Sequence, residues 1–238
     1  MKNSRNRINR PYVILSAAMS LNGFISSLDG DSELSNYQDW QRVHNLRMNS
    51  DAIMVGSETI KKDDSKLTVK EEYVKNPITH HPIRIVVSSR GDIPINSRVI
   101  TFKPERKTII GTTSLCLKQK RQDLENLGCV VIICGDGPLV DLKMLLKILK
   151  SDFKINILML EGGGTLNAQM LKLKLIDEIR LAIAPVICGS GTNLFNDVTL
   201  FRRFKDSPLF CFKEVNSLGD MIYTRIELQY SPRVHPNV

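Results

Sequence analysis

The chain has 238 residues, of which 42% are hydrophobic and 24% charged, and a formal net charge of +8. That length fits one domain, 1–238, with a core over about 10–229, and no apolar run approaches the ~20 residues a membrane span requires. Aromatics make up 6% and do not interleave with the basic residues, which argues against nucleic-acid binding and suits a surface that attracts small phosphorylated ligands.

The first ten residues are basic but carry no secretory cleavage pattern, so the product is expected to stay in the cytoplasm. The first strand-like run, Tyr12 to Ala18, leads into Asn22-Gly23, which reads as a tight turn, and resumes through Ile25. A helix pattern spans Gln38 to Met48, with Trp40 as a packing residue inside it. Ala52 to Val55 forms a strand that ends at Gly56, and a short helix after it puts Thr59 and Asp63 at i and i+4 on one face. Such a pair suits either a nucleotide's sugar and amide groups or plain solvent. Asn76-Pro77 and His81-Pro82 bracket a loop before the strand Ile83 to Val87, and Thr108 to Ile110 is the next strand.

A helix follows from Ser114, as N-cap, to Leu127, with Gly128 as its stop. Val130 to Cys134, a helix over Leu139 to Lys150, the strand Ile155 to Leu160, a helix over Leu166 to Leu173 and the strand Ile179 to Ala184 continue the alternation. Cys188 to Thr192 is rich in turn residues. Leu209 to Val215 and Asp220 to Leu228 read as an antiparallel hairpin joined through Asn216 to Gly219. The strand runs are continuously apolar, as expected of strands covered on both faces, so the fold class is α/β with a mostly parallel sheet flanked by helices. The last eight residues read as a loose tail. Five cysteines and four histidines show neither disulfide nor metal-ligand spacing, so neither zinc nor a disulfide framework is expected.

One segment carries the most chemistry. In Ile155 to Met170 a buried strand runs into Glu161-Gly162-Gly163-Gly164-Thr165 and then into a helix. Glycines allow close backbone approach to an anion, and the first N–H groups of a helix point outward unpaired. Glu161 stands at the carboxyl end of its strand, where ligands of open α/β sheets collect. Taken alone, the glycines fit an anion site or a tight strand-to-helix turn equally well.

In order and spacing the motifs become specific: Arg10-Pro-Tyr-Val-Ile-Leu-Ser-Ala-Ala-Met-Ser-Leu-Asn-Gly23, Val43-His-Asn-Leu-Arg47, Gly56-x-x-Thr59-x-x-x-Asp63-Asp64-x-x-Leu67-Thr68, Ser88-Ser89-Arg90 and Glu161 to Thr165, followed by Leu175 to Ile179 and Ala184-Pro-Val186. From Arg10 to Leu228 the chain resembles the riboflavin-biosynthesis reductases of dihydrofolate-reductase-like fold. That group comprises the reductase domain of the bacterial bifunctional deaminase/reductase and the stand-alone archaeal and fungal enzymes. The resemblance implies hydride transfer from NADPH, with NADH possible, to C1′ of a phosphorylated ribosylamino-pyrimidine, in a homodimer. It further implies cofactor contacts at Thr59, Asp63, Ser89, Gly162, Gly163, Gly164 and Thr165. Substrate contacts fall on Ser32, Arg47, Asp64, Leu67 and Glu161, with Glu161 the one candidate for a catalytic role and no metal.

The chain departs from the family pattern at Asn22, where Asp is usual, at Lys70 for Arg, at Ser65 for Pro and at Leu34 for a Trp common in bacterial members. These departures, with no His-x-Glu and Pro-Cys-x-x-Cys deaminase segment in the sequence, favour the stand-alone type acting on 2,5-diamino-6-ribosylamino-4(3H)-pyrimidinone 5′-phosphate. The same reduction of the deaminated uracil compound, 5-amino-6-(5-phosphoribosylamino)uracil, is the near alternative. A dihydrofolate reductase lacks its expected acidic residue here, and a nucleotide-binding module without turnover is the alternative from a different class.

Overall fold

Seven apolar strands line up parallel, as their continuous hydrophobicity requires, in a computed structural model that describes residues 9–230 except 198 and 202. Most of the expected tails, 1–8 and 231–238, lies outside the described residues. The elements in chain order are β1 (Tyr12–Ser20), β2 (Phe24–Ser27), α1 (Tyr37–Met48), β3 (Ala52–Gly56), α2 (Ser57–Asp63), β4 (Ile83–Val87), α3 (Arg98–Thr101), β5 (Thr108–Thr112), α4 (Lys118–Asn126), β6 (Val130–Ile133), α5 (Leu142–Ser151), β7 (Ile157–Gly162), α6 (Gly164–Lys172), β8 (Glu178–Ala184), β9 (Gly191–Asn193), β10 (Leu209–Leu218) and β11 (Met221–Gln229). The main sheet runs β10-β11-β8-β1-β7-β3-β4-β5-β6, and β2 and β9 pair separately. All neighbours from β8 to β6 are parallel, while β11 runs antiparallel to β8 and to β10.

Because side chains alternate across each strand, the two sheet faces build separate cores. On one face Val13, Leu15, Ile85 and Leu158 pack with Leu145 and Leu149 of α5 and Met170 and Leu171 of α6. On the other, Ile14, Ile53, Val86 and Met159 pack with Val43 and Leu46 of α1, Ile60 of α2 and Leu124 of α4. No helix among the described residues is long and apolar enough to cross a membrane.

Four local expectations are corrected. Helix α4 begins at Lys118 rather than at Ser114, because the Ser114 amide donates to the Gly135 carbonyl and the Cys116 amide to Thr113, which makes a turn. Gly128, at φ +83°, does follow the helix end as expected. Strand β7 begins at Ile157, two residues late, since the Asp51 carboxylate accepts from the Asn156 and Ile157 amides. Strand β10 extends through Leu218, and its hairpin turns at Gly219-Asp220 instead of Asn216 to Gly219. Asn36 Nδ2 pins that turn by donating to the Leu218 carbonyl at 2.8 Å and to Asp220 Oδ1 at 2.7 Å. Of the expected buried thiols, Cys116, Cys129 and Cys134 are buried, while Cys188 and Cys211 are half-exposed.

The register explains where a ligand could enter. Strands β1 and β7 pair only from Tyr12 to Leu15. Beyond that point β1 continues on β8 alone, and β7 bends toward β3, where Gly162 pairs with Val55. The sheet therefore splits at its carboxyl edge.

Candidate active site

A crevice of about 490 Å³ occupies that split. Ser16, Ala17 and Ala18 form one lip, and Glu161, Gly163, Gly164 and Thr165 form the other. Thr59 and Asp63 of α2, Ser89 beyond β4, Ser32 before α1 and Trp40 and Arg47 of α1 complete its walls. This volume is ordinary for a small-molecule site.

At the centre Arg47 and Glu161 form a two-point fork. Arg47 Nε donates to Glu161 Oε1 at 2.8 Å, and Nη2 donates to Oε2 at 2.7 Å. Nη1 donates to the Thr68 carbonyl at 2.9 Å. A guanidinium has five N–H bonds, so two remain for a ligand. Both side chains are mostly shielded, at 11% and 14% exposure, which favours a fixed geometry. Each Glu161 oxygen accepts one bond from Arg47 and keeps a lone pair, so the carboxylate orients that guanidinium and can still accept from a ligand.

Directly after Glu161, on the same lip, the glycine run opens α6. Gly163 is the N-cap and provides no side-chain cap, so the first amides of the helix stay available to an anion. The Gly163 amide itself is taken, donating to Thr59 Oγ1 at 3.0 Å. Gly164 lies against the β9 end. A Cβ there would overlap the Asn193 carbonyl oxygen and come within 2.9 Å of Asn196 Cβ. Gly162, at φ +100°, takes a conformation that side chains disfavour and brings the backbone against Asn167. The glycines thus let the turn pack closely against Asn167, Thr59 and Asn193, while the uncapped amides at the start of α6 are what an anion such as a pyrophosphate could use. Asp63 is exposed at the end of α2, and partial desolvation raises its carboxyl above the usual range while Lys62 pulls the other way.

Two expected substrate residues stand elsewhere. Asp64 is absent from the crevice wall: it ends α2 in a left-handed conformation, and its Oδ1 accepts from the Arg98 amide at 2.6 Å while Oδ2 accepts from Arg98 Nε at 3.0 Å. It ties α2 to α3. Leu67 is 3% exposed and packs in the core with Leu46, Ile60 and Met159, so its side chain is structural, on a backbone held at φ +47°. Gly162 shapes the turn from beneath rather than lining the crevice.

Two departures from the family pattern also acquire local roles. Asn22 Nδ2 donates to the Cys188 carbonyl at 2.6 Å and its Oδ1 accepts from the Cys188 amide at 3.1 Å, which staples the turn after β1 to the loop before β9. Lys70 is outside the crevice wall, near Glu72 and over the Tyr73 ring.

Sequence reasoning missed Trp40, read as a packing residue, and Thr192 and Asn196, which line the crevice from the turn-rich stretch after β8. For Trp40 the signal was its i, i+3, i+7 alignment with Val43 and Arg47. The contribution of Thr192 depends on the pairing of β9 with β2, which no local pattern announces.

The family model described as the RibD C-terminal domain matches residues 11–220. A protein of Methanothermobacter thermautotrophicus, named 2,5-diamino-6-ribosylamino-4(3H)-pyrimidinone 5′-phosphate reductase, is 43% identical over 180 residues, covering 76% of this chain and 80% of that protein. An Aquifex aeolicus protein of the same name is 37% identical over 192 residues, covering 79% and 82%. Among solved structures, Acinetobacter baumannii RibD in its form 1 superposes with a TM-score of 0.80 at 26% identity over 93% of this chain. The chain spans 59% of that RibD chain.

Proposed function

The chain belongs to the RibD C-terminal domain family, and from that membership we propose an NADPH-dependent reductase of riboflavin biosynthesis. It acts on 2,5-diamino-6-ribosylamino-4(3H)-pyrimidinone 5′-phosphate and yields the ribitylamino compound. The observation that carries this reading is the meeting, within one crevice, of the Arg47–Glu161 fork and the open start of α6.

The glycine start of α6, through Gly163, Gly164 and Thr165, holds the cofactor pyrophosphate, and Thr59, Asp63 and Ser89 contact the rest of the nucleotide. When bound, a reduced nicotinamide supplies the hydride for C1′. Ser32 and the two spare N–H bonds of Arg47 bind the substrate, and Glu161 keeps the fork aimed. Holding the reacting carbons together in a crevice shielded from water accounts for much of the rate in such reductions. No side chain is required to deliver the proton that accompanies the hydride; water at the crevice mouth serves. A homodimer and a cytoplasmic location complete the proposal; exposed Phe212 and Val215 on β10 supply apolar surface for a second copy, and light scattering tests it.

The experiment is a nicotinamide absorbance assay with both pyrimidine phosphates and each cofactor. Oxidation of NADPH with the diamino-pyrimidinone compound is expected. Reduction of the uracil compound alone would overturn the substrate assignment, and binding of NADPH without turnover would favour a non-catalytic module.

A further inference from the structure

Tryptophan occurs once in this chain, and it sits half in the ligand crevice. Trp40 shares one face of α1 with Val43 and Arg47, and the indole remains 36% exposed. A large aromatic surface left open in a crevice is a place for an apolar or planar ligand group.

The indole is also braced. Tyr73 stacks on Trp40, with ring centroids 5.9 Å apart and planes at 28°. His44 stacks in turn on Tyr73 at 4.9 Å and 16°, and Tyr37 flanks Tyr73 at 5.6 Å. His44 is buried and anchored, its Nδ1 accepting from the Lys70 amide at 3.1 Å. Aromatic layers behind the indole limit its rotamers before any ligand arrives, so little ordering remains to be done on binding.

The placement favours the substrate over the cofactor. Arg42, on the same helix, donates to Ser16 Oγ at 3.2 Å, which ties the first half of α1 to the β1 lip. The glycine turn and Thr59 belong to the opposite lip. Seven residues of helix separate Trp40 from Arg47, about 10 Å along the axis, a span that matches a ring at one end and a sugar phosphate at the other.

Resting on the reductase reading above, we propose that Trp40 is the stacking surface for the pyrimidine ring of the substrate, while Arg47 holds the ribosyl phosphate end. Ring recognition is then a matter of stacking, and edge groups contribute less to affinity.

The test uses the full chain with W40A and W40F. For the diamino-pyrimidinone phosphate, W40A is expected to raise KM about tenfold with kcat little changed, and W40F to restore most of the loss. Inhibition by ribose 5-phosphate, which lacks the ring, should be the same in all three proteins. Without cofactor, the pyrimidine phosphate should quench the emission of the single tryptophan in wild-type protein, and ribose 5-phosphate should not. An unchanged KM in W40A, or equal losses for substrate and ribose 5-phosphate, overturns the stacking role while leaving the reductase reading intact. Wild-type protein that neither binds nor reduces any pyrimidine phosphate overturns both.

Discussion

Arg47 and Glu161 meet through two parallel N–H···O bonds, 2.8 and 2.7 Å long, although 114 residues separate them in sequence. One comes from a helix and the other from the carboxyl end of β7, at the point where the sheet splits. The pair therefore fixes the direction of a cation inside the ligand crevice, and its disruption should be felt in substrate handling before it is felt in folding.

Glu161→Gln keeps the shape but removes the charge and one acceptor of the fork. A lost hydrogen bond to a charged group costs about 2 kcal/mol, roughly 30-fold in kcat/KM for the pyrimidine phosphate. The affinity for the nicotinamide cofactor, measured by titration, should change far less. Arg47→Lys should behave similarly, since an ammonium cannot make the fork.

Thr59 anchors the glycine turn through the Gly163 amide. In Thr59→Val that amide loses its acceptor, so the cofactor KM should rise by about fivefold, equivalent to about 1 kcal/mol, while Thr59→Ser retains wild-type behaviour. Steady-state kinetics at saturating substrate distinguish the two variants.

Gly164→Ala forces a methyl group against the Asn193 carbonyl and Asn196. Overpacking of this kind costs about 2 kcal/mol, a fall in Tm of roughly 4–8 °C for a chain of this size. Gly137→Ala, where nothing lies within 4 Å of the added carbon, is the matched control and should melt near wild type. Calorimetry of the two variants checks the close approach directly.

His44 makes stability depend on pH. Burial first, then Arg47 and Lys70, lowers its imidazole from 6.5 to about 3 in the folded state. Between those values the unfolded chain takes up a proton that the folded chain refuses. The contribution is fully present above pH 6.5 and is lost as pH falls toward about 3, by up to ~1.4 kcal/mol per pH unit. Urea denaturation at several pH values should show a shallower acid loss in His44→Gln, which retains an acceptor for the Lys70 amide.

The strands were legible in the sequence because burial on both faces leaves apolar runs that need no partner to be recognised, as at Ala52 to Val55. The strand-to-helix turns that carry Thr59, Asp63 and Gly163 to Thr165 were legible because they are local, but their place in one crevice came from the order and spacing of the family motifs. What escaped depended on distant partners. Asp51 took the amides that would have started β7 early, and Asn36 fixed the hairpin turn 182 residues away. Asp64 and Leu67 shared a motif with genuine crevice residues, yet Arg98 engaged the one and the core took the other. Trp40 illustrates the converse, because helical periodicity alone cannot separate a core face from a crevice face.

The most direct test of the central claim follows the hydrogen itself. NADPH deuterated at the transferring C4 position is incubated with the protein and the diamino-pyrimidinone phosphate, and the product is analysed by mass spectrometry with fragmentation. The account predicts a ribitylamino product carrying the deuterium on C1′. A ribitylamino product without that label, or recovery of unreduced substrate beside bound NADPH, would contradict it.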